Sequence, residues 1–132
     1  MKRTTVTRII SAMLTAGMIL GAVISVAAEE DETTRLIKAL RAENLGRRVS
    51  AAHILGENKE VRAVKPLIRM LENDIKYSAR ISAAVALAQI GDKEALSALK
   101  NSARNDRDGN VRTVARGAIF EIERTDIKIA ME

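Results

Sequence analysis

The chain has 132 residues, of which 47% are hydrophobic and only 2% aromatic, and it carries a formal charge of +5. This length allows one domain, whose core must consist of Ala, Leu, Ile and Val because Tyr77 and Phe120 are the only aromatic residues. The absence of cysteine excludes disulfides, thiolate metal sites and a nucleophilic thiol. Without the three basic residues of the N-terminal segment, 19 Lys or Arg stand against 17 Asp or Glu, and this near balance argues against a nucleic-acid partner.

Residues 1–27 are typical of a secretory signal peptide, because three basic residues precede an apolar run relieved only by small residues. Small residues at its end predict cleavage after Ala27 or Ala28, and hence a periplasmic or extracellular protein that meets the membrane only transiently. An uncleaved anchor is the alternative, since about 20 apolar residues just span a bilayer. The acidic residues that follow, within 28–32, are interpreted as a solvated leader.

Hydrophobic periodicity predicts six helices in a domain that covers residues 33–125. After a first helix that begins at about residue 33, the others are expected at 47–57, 61–72, 76–90, 93–103 and 110–124. A shift of 32 residues aligns Arg48, Arg80 and Arg112. A fixed period of this size is the signature of stacked helix pairs. The predicted fold is therefore all-α, a short right-handed α-solenoid of about three helix pairs.

Local signals predict where several of these helices begin. Thr33 or Thr34 is the expected cap of the first helix, and Asp92 and Asp108 are the expected caps of the fifth and sixth. Pro66 lies inside the third helix, where a proline removes a helix hydrogen bond. We therefore expect a kink there, or a late start of that helix.

The C-terminal tail, residues 126–132, alternates Ile127, Ile129 and Met131 with polar or small residues. Terminal repeats of a solenoid expose an apolar face that needs covering. The sequence therefore predicts that the tail folds back over the last repeat.

Two segments, ARISAAVALAQIGD at 79–92 and VRTVARGAIFEI at 111–122, resemble HEAT repeats, especially the bacterial subset first noted in phycobiliprotein lyases. The resemblance covers about residues 33–124. The likeness to lyase-associated repeats implies an accessory subunit of an enzyme as one alternative, whereas binding of another protein is expected from the extended surface of a solenoid.

HEAT repeats place an aspartate in a turn and an arginine six residues later. Two pairs in this chain keep that spacing, Asp74 with Arg80 and Asp106 with Arg112. The resemblance implies that these residues form a structural ladder of charge-assisted hydrogen bonds between adjacent repeats. Ala42 occupies the position of the first aspartate, so Arg48 is expected to lack an acidic partner unless Glu43 substitutes for it.

The second helices of a helix-pair solenoid usually line its concave surface, which such proteins use for binding. The outward columns of these helices predict a partner-binding surface of small or weakly polar residues: Ser50, His53, Glu57, Ser82, Val85, Gln89, Val114 and Glu121, with Gly117 among them. This surface suits a peptide or a helix but offers no aromatic anchor. The alternative is that these are ordinary solvated positions.

Metal, cofactor and catalytic sites are not predicted. His53 is the only histidine, so a multi-ligand metal site cannot be built around it. The stretch NDRDGN, 105–110, fails as a calcium loop because Arg104 and Ala115 occupy positions that require acids. It is interpreted as a turn and helix cap.

The favoured function is an exported scaffold that binds another protein through its concave surface. An accessory subunit of an enzyme such as a lyase is one alternative. A self-associating structural unit, such as a homodimer through an exposed end, is another, because short solenoids bury each face only against a neighbour.

Overall fold

The computed structural model describes residues 30–132, so the predicted signal peptide and its cleavage site lie outside the described residues. Within that range the chain forms α-helices and no strand. The helices are α1 (Glu32–Ala39), α2 (Leu45–Glu57), α3 (Val64–Asn73), α4 (Tyr77–Ile90), α5 (Leu96–Asn105) and α6 (Gly109–Met131). The prediction of a short all-α solenoid is confirmed.

The helices stack in pairs, α1 with α2, α3 with α4, and α5 with α6. Neighbouring pairs meet mainly through their second helices, since α2 packs on α4 and α4 on α6 far more extensively than α3 packs on α5. The more closely packed layer of a curved stack is its inner one. The second helices therefore form the layer through which the repeats contact one another, the layer expected to be the inner one of a curved stack.

The close approach of the second helices depends on small residues at the repeat period. Ala51, Ala83 and Ala115 lie 32 residues apart and are at most 2% exposed. Fully buried leucines, such as Leu67 and Leu99 of the first helices, fill the space within the pairs. Alanine cores of this kind suit a chain that has almost no aromatic residues to bury.

The start of α3 follows the prediction from Pro66. A 3-10 turn (Val61–Ala63) precedes the α-helix, which begins at Val64. Pro66 therefore lies in the first turn of the α-helix, where backbone N–H groups have no acceptor within the helix, so the N–H that proline lacks is not needed there.

The cap predicted at Asp108 is confirmed, whereas Asp92 caps the 3-10 turn that precedes α5 rather than α5 itself. The Asp92 carboxylate accepts a hydrogen bond from the backbone N–H of Glu94, at the start of a second 3-10 turn (Lys93–Ala95) that leads into α5. Asp108 accepts from two backbone N–H groups at the start of α6. The cap predicted at Thr33 or Thr34 is wrong, because α1 begins at Glu32.

The end of α4 is fixed by a glycine in the left-handed region. Gly91 is the C-cap of α4 with φ 77°, and its N–H donates to the Leu87 carbonyl. Residues with a Cβ rarely adopt this conformation, so glycine allows the sharp turn into the next repeat.

The prediction that the tail folds back is wrong. Helix α6 continues without a break to Met131, and Ile127, Ile129 and Met131 are 62%, 67% and 82% exposed. An ion pair of 3.1 Å between Lys93 Nζ and Asp126 Oδ2 ties the extension of the helix to the preceding turn. Residues two apart point to different sides of a helix, so the alternating apolar residues do not form one covering face.

None of the helices described between residues 30 and 132 has the length and apolar character needed to cross a membrane.

Candidate functional site

A groove crosses the second-helix layer, and we call it the second-helix groove. Its larger cavity, of about 540 Å³, lies between α4 and α6. A smaller cavity, of about 170 Å³, lies between α2 and α4. Val85 lines both, so the two cavities are adjacent on this layer.

The structure brings together most of the residues predicted to bind a partner. Val85, Gln89, Val114, Gly117 and Glu121 line the larger cavity, together with Ala88, Ala118 and Phe120. His53 and Ser82 line the smaller one with Val49, Ile81, Val85 and Ala86. Ser50 and Glu57 are exposed on α2 but line neither of these two cavities.

Among the lining residues that the sequence analysis did not predict, Phe120 is the aromatic one. Its side chain is 64% exposed, so an aromatic ring stands at the edge of the larger cavity. Gly117 lies one helical turn before it, and a Cβ built on Gly117 would meet no atom within 4 Å. An exposed aromatic ring beside an open glycine provides both an anchor and room for a partner to approach. The signal available in the sequence was their spacing of three residues on one predicted helix.

The lining of the larger cavity is mainly apolar, and Gln89 and Glu121 are its polar residues. Val85, Val114 and Ala118 contribute the apolar surface of the larger cavity. The Glu121 carboxylate accepts a hydrogen bond from Arg124, with 3.0 Å between Oε2 and Nη2. A partner would therefore bury an apolar side chain and meet exchangeable polar contacts around it.

The ladder residues lie elsewhere, at the turns between helices. Arg80 donates from Nε and Nη2 to the two carboxylate oxygens of Asp106, both at 2.9 Å, and from Nη1 to the carbonyl oxygen of Asp74 at 2.8 Å. The Arg80 and Asp106 side chains are only 4% and 7% exposed. This pair therefore joins the second repeat to the third with both charges buried and bonded.

Arg48 makes the same contacts one repeat earlier. Its Nε and Nη2 donate to the Asp74 carboxylate at 2.8 and 3.1 Å, and its Nη1 donates to the carbonyl oxygens of Ala42 and Glu43. The expectation that Arg48 lacks an acidic partner is wrong. Each aspartate carboxylate receives the arginine of the preceding repeat, 26 residues earlier, so an aspartate at position 42 is not needed to bind Arg48.

Arg112 is the last member of this series. Its Nη1 donates to the Asp106 carbonyl oxygen at 2.7 Å, as the six-residue spacing requires. Within residues 30–132 no carboxylate takes the place that Asp74 and Asp106 fill for the other two arginines.

The pKa values of the buried pair are shifted in the directions that favour both charges. Hydrogen bonding to Asp106 raises the pKa of the Arg80 guanidinium and outweighs the opposing effect of burial. Burial alone would raise the pKa of the Asp106 carboxyl, but hydrogen bonds from Arg80 and from the Asp108 N–H hold that pKa below its usual range. The pair is therefore ionised at neutral pH.

In the part of the chain that the structure describes, no group of three His, Asp or Glu side chains is placed to hold a metal ion. The loop around Asp106 and Asp108 instead uses its carboxylates for Arg80 and for the start of α6. Its acidic residues are already engaged by the fold.

The comparisons with known proteins point to one family. A family model described as HEAT repeats matches residues 33–119, which run from α1 into α6. A search of curated proteins found no match.

Proposed function

Because the chain belongs to the HEAT-repeat family, whose members commonly mediate protein–protein interaction, we propose that it is an exported scaffold that binds another protein in the second-helix groove. The proposal assigns no catalytic step to the chain. Export is proposed from the signal-peptide pattern of residues 1–27.

The observation that carries the proposal is the apolar cavity between α4 and α6 with Phe120 at its edge. Its volume of about 540 Å³ accommodates one or two large apolar side chains. Gly117 leaves the cavity open to close approach by a helix or an extended peptide. The partner segment is therefore one that presents a large apolar side chain, flanked by polar residues that meet Gln89 and Glu121.

Filling the groove tests this proposal. Gly117→Leu places a large side chain in open space on an exposed helix face, so it should block the cavity without disturbing the core. Ser97→Leu is the matched control, because it adds the same side chain at an exposed position of α5, outside both cavities. Cooperative thermal unfolding of both variants, with Tm values at or above that of the wild type, would establish that both are folded.

The assay is affinity capture from periplasmic extract and culture fluid of the source organism, followed by titration of the captured protein. The proposal expects the wild type and Ser97→Leu to bind one protein equally and Gly117→Leu to bind it at least about tenfold more weakly, a loss of about 1.4 kcal/mol. Equal binding by all three variants would refute a role for the groove. Light scattering on the purified chain separates a monomeric scaffold from the self-associating alternative.

The export part of the proposal has its own test. The intact mass of the exported protein should show the loss of residues 1–27 or 1–28. A membrane-bound form that retains those residues would show that the segment is an anchor instead.

A further inference from the structure

The C-terminal end of the helix stack carries arginines where the internal repeats carry other residues. Arg116 stands 32 residues after Ala84, which is fully buried against the next repeat, and Arg104 stands 32 residues after Glu72. Both arginines are exposed. Arg112 lies one helical turn before Arg116, and Arg116 reaches the carbonyl oxygen of Ala103 beside Arg104, so the three arginines lie together on a surface that we call the arginine end.

Arg112 presents a hydrogen-bonding fork that has no acceptor in the described part of the chain. In Arg48 and Arg80, Nε and Nη2 hold an aspartate carboxylate while Nη1 binds a carbonyl oxygen. Arg112 makes the carbonyl contact alone. Arg112 Nη2 lies next to Gly109, 3.4 Å from the position that a Cβ of residue 109 would occupy. Because residue 109 is a glycine, it has no side chain that could cover this N–H group.

Among the described residues, the arginines of the arginine end form no ion pair with neighbouring acids, and the Asp108 carboxylate, four residues before Arg112, binds backbone N–H groups instead of a guanidinium. The Asp106 carboxylate binds Arg80, and the Asp108 carboxylate caps α6. Glu123 forms an ion pair with Lys100, with 3.1 Å between Oε1 and Nζ. Arg116 donates only to the Ala103 carbonyl oxygen, at 3.3 Å. Within residues 30–132, Arg104, Arg112 and Arg116 thus make no ion pair.

The matching ligand is a carboxylate, because this chain twice uses the same arginine geometry to hold one. Two parallel N–H groups fit the two oxygens of an aspartate or glutamate side chain. A second copy of the chain stacked end to end does not supply it, since Ala42 occupies the corresponding position of the first repeat. In that repeat the exposed Arg41 and Arg47 flank the exposed Glu43, so a second copy offers no concentrated acidic surface to the arginine end.

We infer that the arginine end binds an acidic segment of another protein, with Arg112 holding one carboxylate in its fork and Arg104 and Arg116 pairing with neighbouring ones. This surface is separate from the second-helix groove, since none of the three arginines lines either cavity. A partner that carries both an apolar side chain and an acidic stretch would engage the two surfaces together.

The test titrates the full chain into a fluorescein-labelled polyglutamate peptide and follows fluorescence anisotropy. Arg112→Gln should weaken binding about tenfold, and Arg112→Lys should weaken it several-fold, because lysine keeps the charge but loses the fork. Arg104→Gln combined with Arg116→Gln changes only exposed residues and should also weaken binding about tenfold.

Arg107→Gln is the matched control. It removes the same charge from the same turn, but Arg107 Nη2 donates back to the Ile75 carbonyl oxygen at 3.1 Å, away from the arginine end. It should change binding less than twofold. Equal losses for Arg107→Gln and Arg112→Gln, or undiminished binding by Arg112→Lys, would overturn the inference, because either would show attraction by net charge alone.

Two further probes separate carboxylates from other anions. Phosphatidylglycerol vesicles and single-stranded DNA should bind more weakly than polyglutamate and should not distinguish Arg112→Lys from the wild type. Tighter binding of either probe, with the same dependence on Arg112, would overturn the assignment to an acidic protein segment. Gly117→Leu should leave polyglutamate binding unchanged, so a failure of the groove proposal and a failure of this inference give different results.

Discussion

Removal of Arg80 should destabilise the protein more than removal of any exposed arginine. The substitution Arg80→Ala deletes two charge-assisted hydrogen bonds to Asp106 and one hydrogen bond to the Asp74 carbonyl oxygen. It leaves the Asp106 carboxylate, 7% exposed, with only the backbone N–H of Asp108 as a donor. Breaking a buried pair by removing one partner costs about 3–5 kcal/mol.

That cost is large for a domain of this size. For a domain of about 100 residues, 1 kcal/mol corresponds to about 4–8 °C in Tm, so Arg80→Ala should lower Tm by at least about 12 °C. Arg116→Ala removes an exposed side chain with a single 3.3 Å hydrogen bond and should change stability by no more than about 0.5 kcal/mol. Circular dichroism melts of the two variants measure the difference.

A double-mutant cycle tests the assigned cause. If the loss comes from the stranded charge of Asp106, then Arg80→Ala combined with Asp106→Ala should be less destabilising than the sum of the two single substitutions. Equal melting temperatures for Arg80→Ala and Arg116→Ala, or strict additivity in the cycle, would refute the reasoning.

Three further predictions concern the Asp106 carboxyl, two helix glycines and the end of α6. The pKa of the Asp106 carboxyl is lowered in the folded state, so its contribution to stability is complete above the unfolded pKa near 3.8 and is lost as the pH falls through the lower folded pKa. Urea unfolding at a series of acidic pH values should therefore show a smaller loss of unfolding free energy for Asp106→Asn than for the wild type. Gly56→Ala should destabilise the fold by about 1–3 kcal/mol, because its Cβ would lie 2.8 Å from the Ala86 Cα. Gly117→Ala should stabilise it by about 0.5–1 kcal/mol, because its Cβ would lie in open space and alanine favours a helix more than glycine does. Thermal melts that rank the two variants in the opposite order would contradict this packing. Deletion of residues 127–132, largely exposed, should lower Tm by only a few degrees, and a collapse of the fold would show that the end of α6 is needed for the core.

The architecture was predictable because it depends on a pattern that the sequence repeats. Arginine and alanine recur at a step of 32, and this step brings them to equivalent places in successive helix pairs. The end of α6 was not predictable in the same way. Ile127, Ile129 and Met131 alternate as in a strand, but the chain simply continues the helix, held by the contact of Asp126 with Lys93.

The partners within the ladder could not be assigned from spacing alone. Asp74 lies six residues before Arg80, but its carboxylate also accepts the N–H of Lys76, which fixes it in the turn, and there it faces Arg48 of the preceding repeat. Only the carbonyl oxygen of Asp74 reaches Arg80. Sequence spacing identifies which residues belong to a repeat but not which side of the repeat each group faces.

Part of the candidate groove was predictable and part was not. The columns of exposed residues on the second helices identified Val85, Gln89 and Glu121, which line the larger cavity. Phe120 was not identified because the residues at the equivalent positions of the two earlier repeats are Gly56 and Ala88. No residue type therefore repeats at this position. A repeat-based comparison finds what the repeats share and overlooks the residue that makes one of them different.

The direction of the ladder determines how this chain could grow. A segment from Asp74 to Asn105 begins with the carboxylate that receives the preceding arginine and contains the arginine that reaches forward to the next carboxylate. Tandem duplication of these residues would give every new aspartate an arginine and every new arginine an aspartate. A gene for this protein could therefore lengthen by whole units without burying an unpaired charge, whereas insertion of part of a unit that carries only the arginine or only the aspartate would leave that charge without its partner.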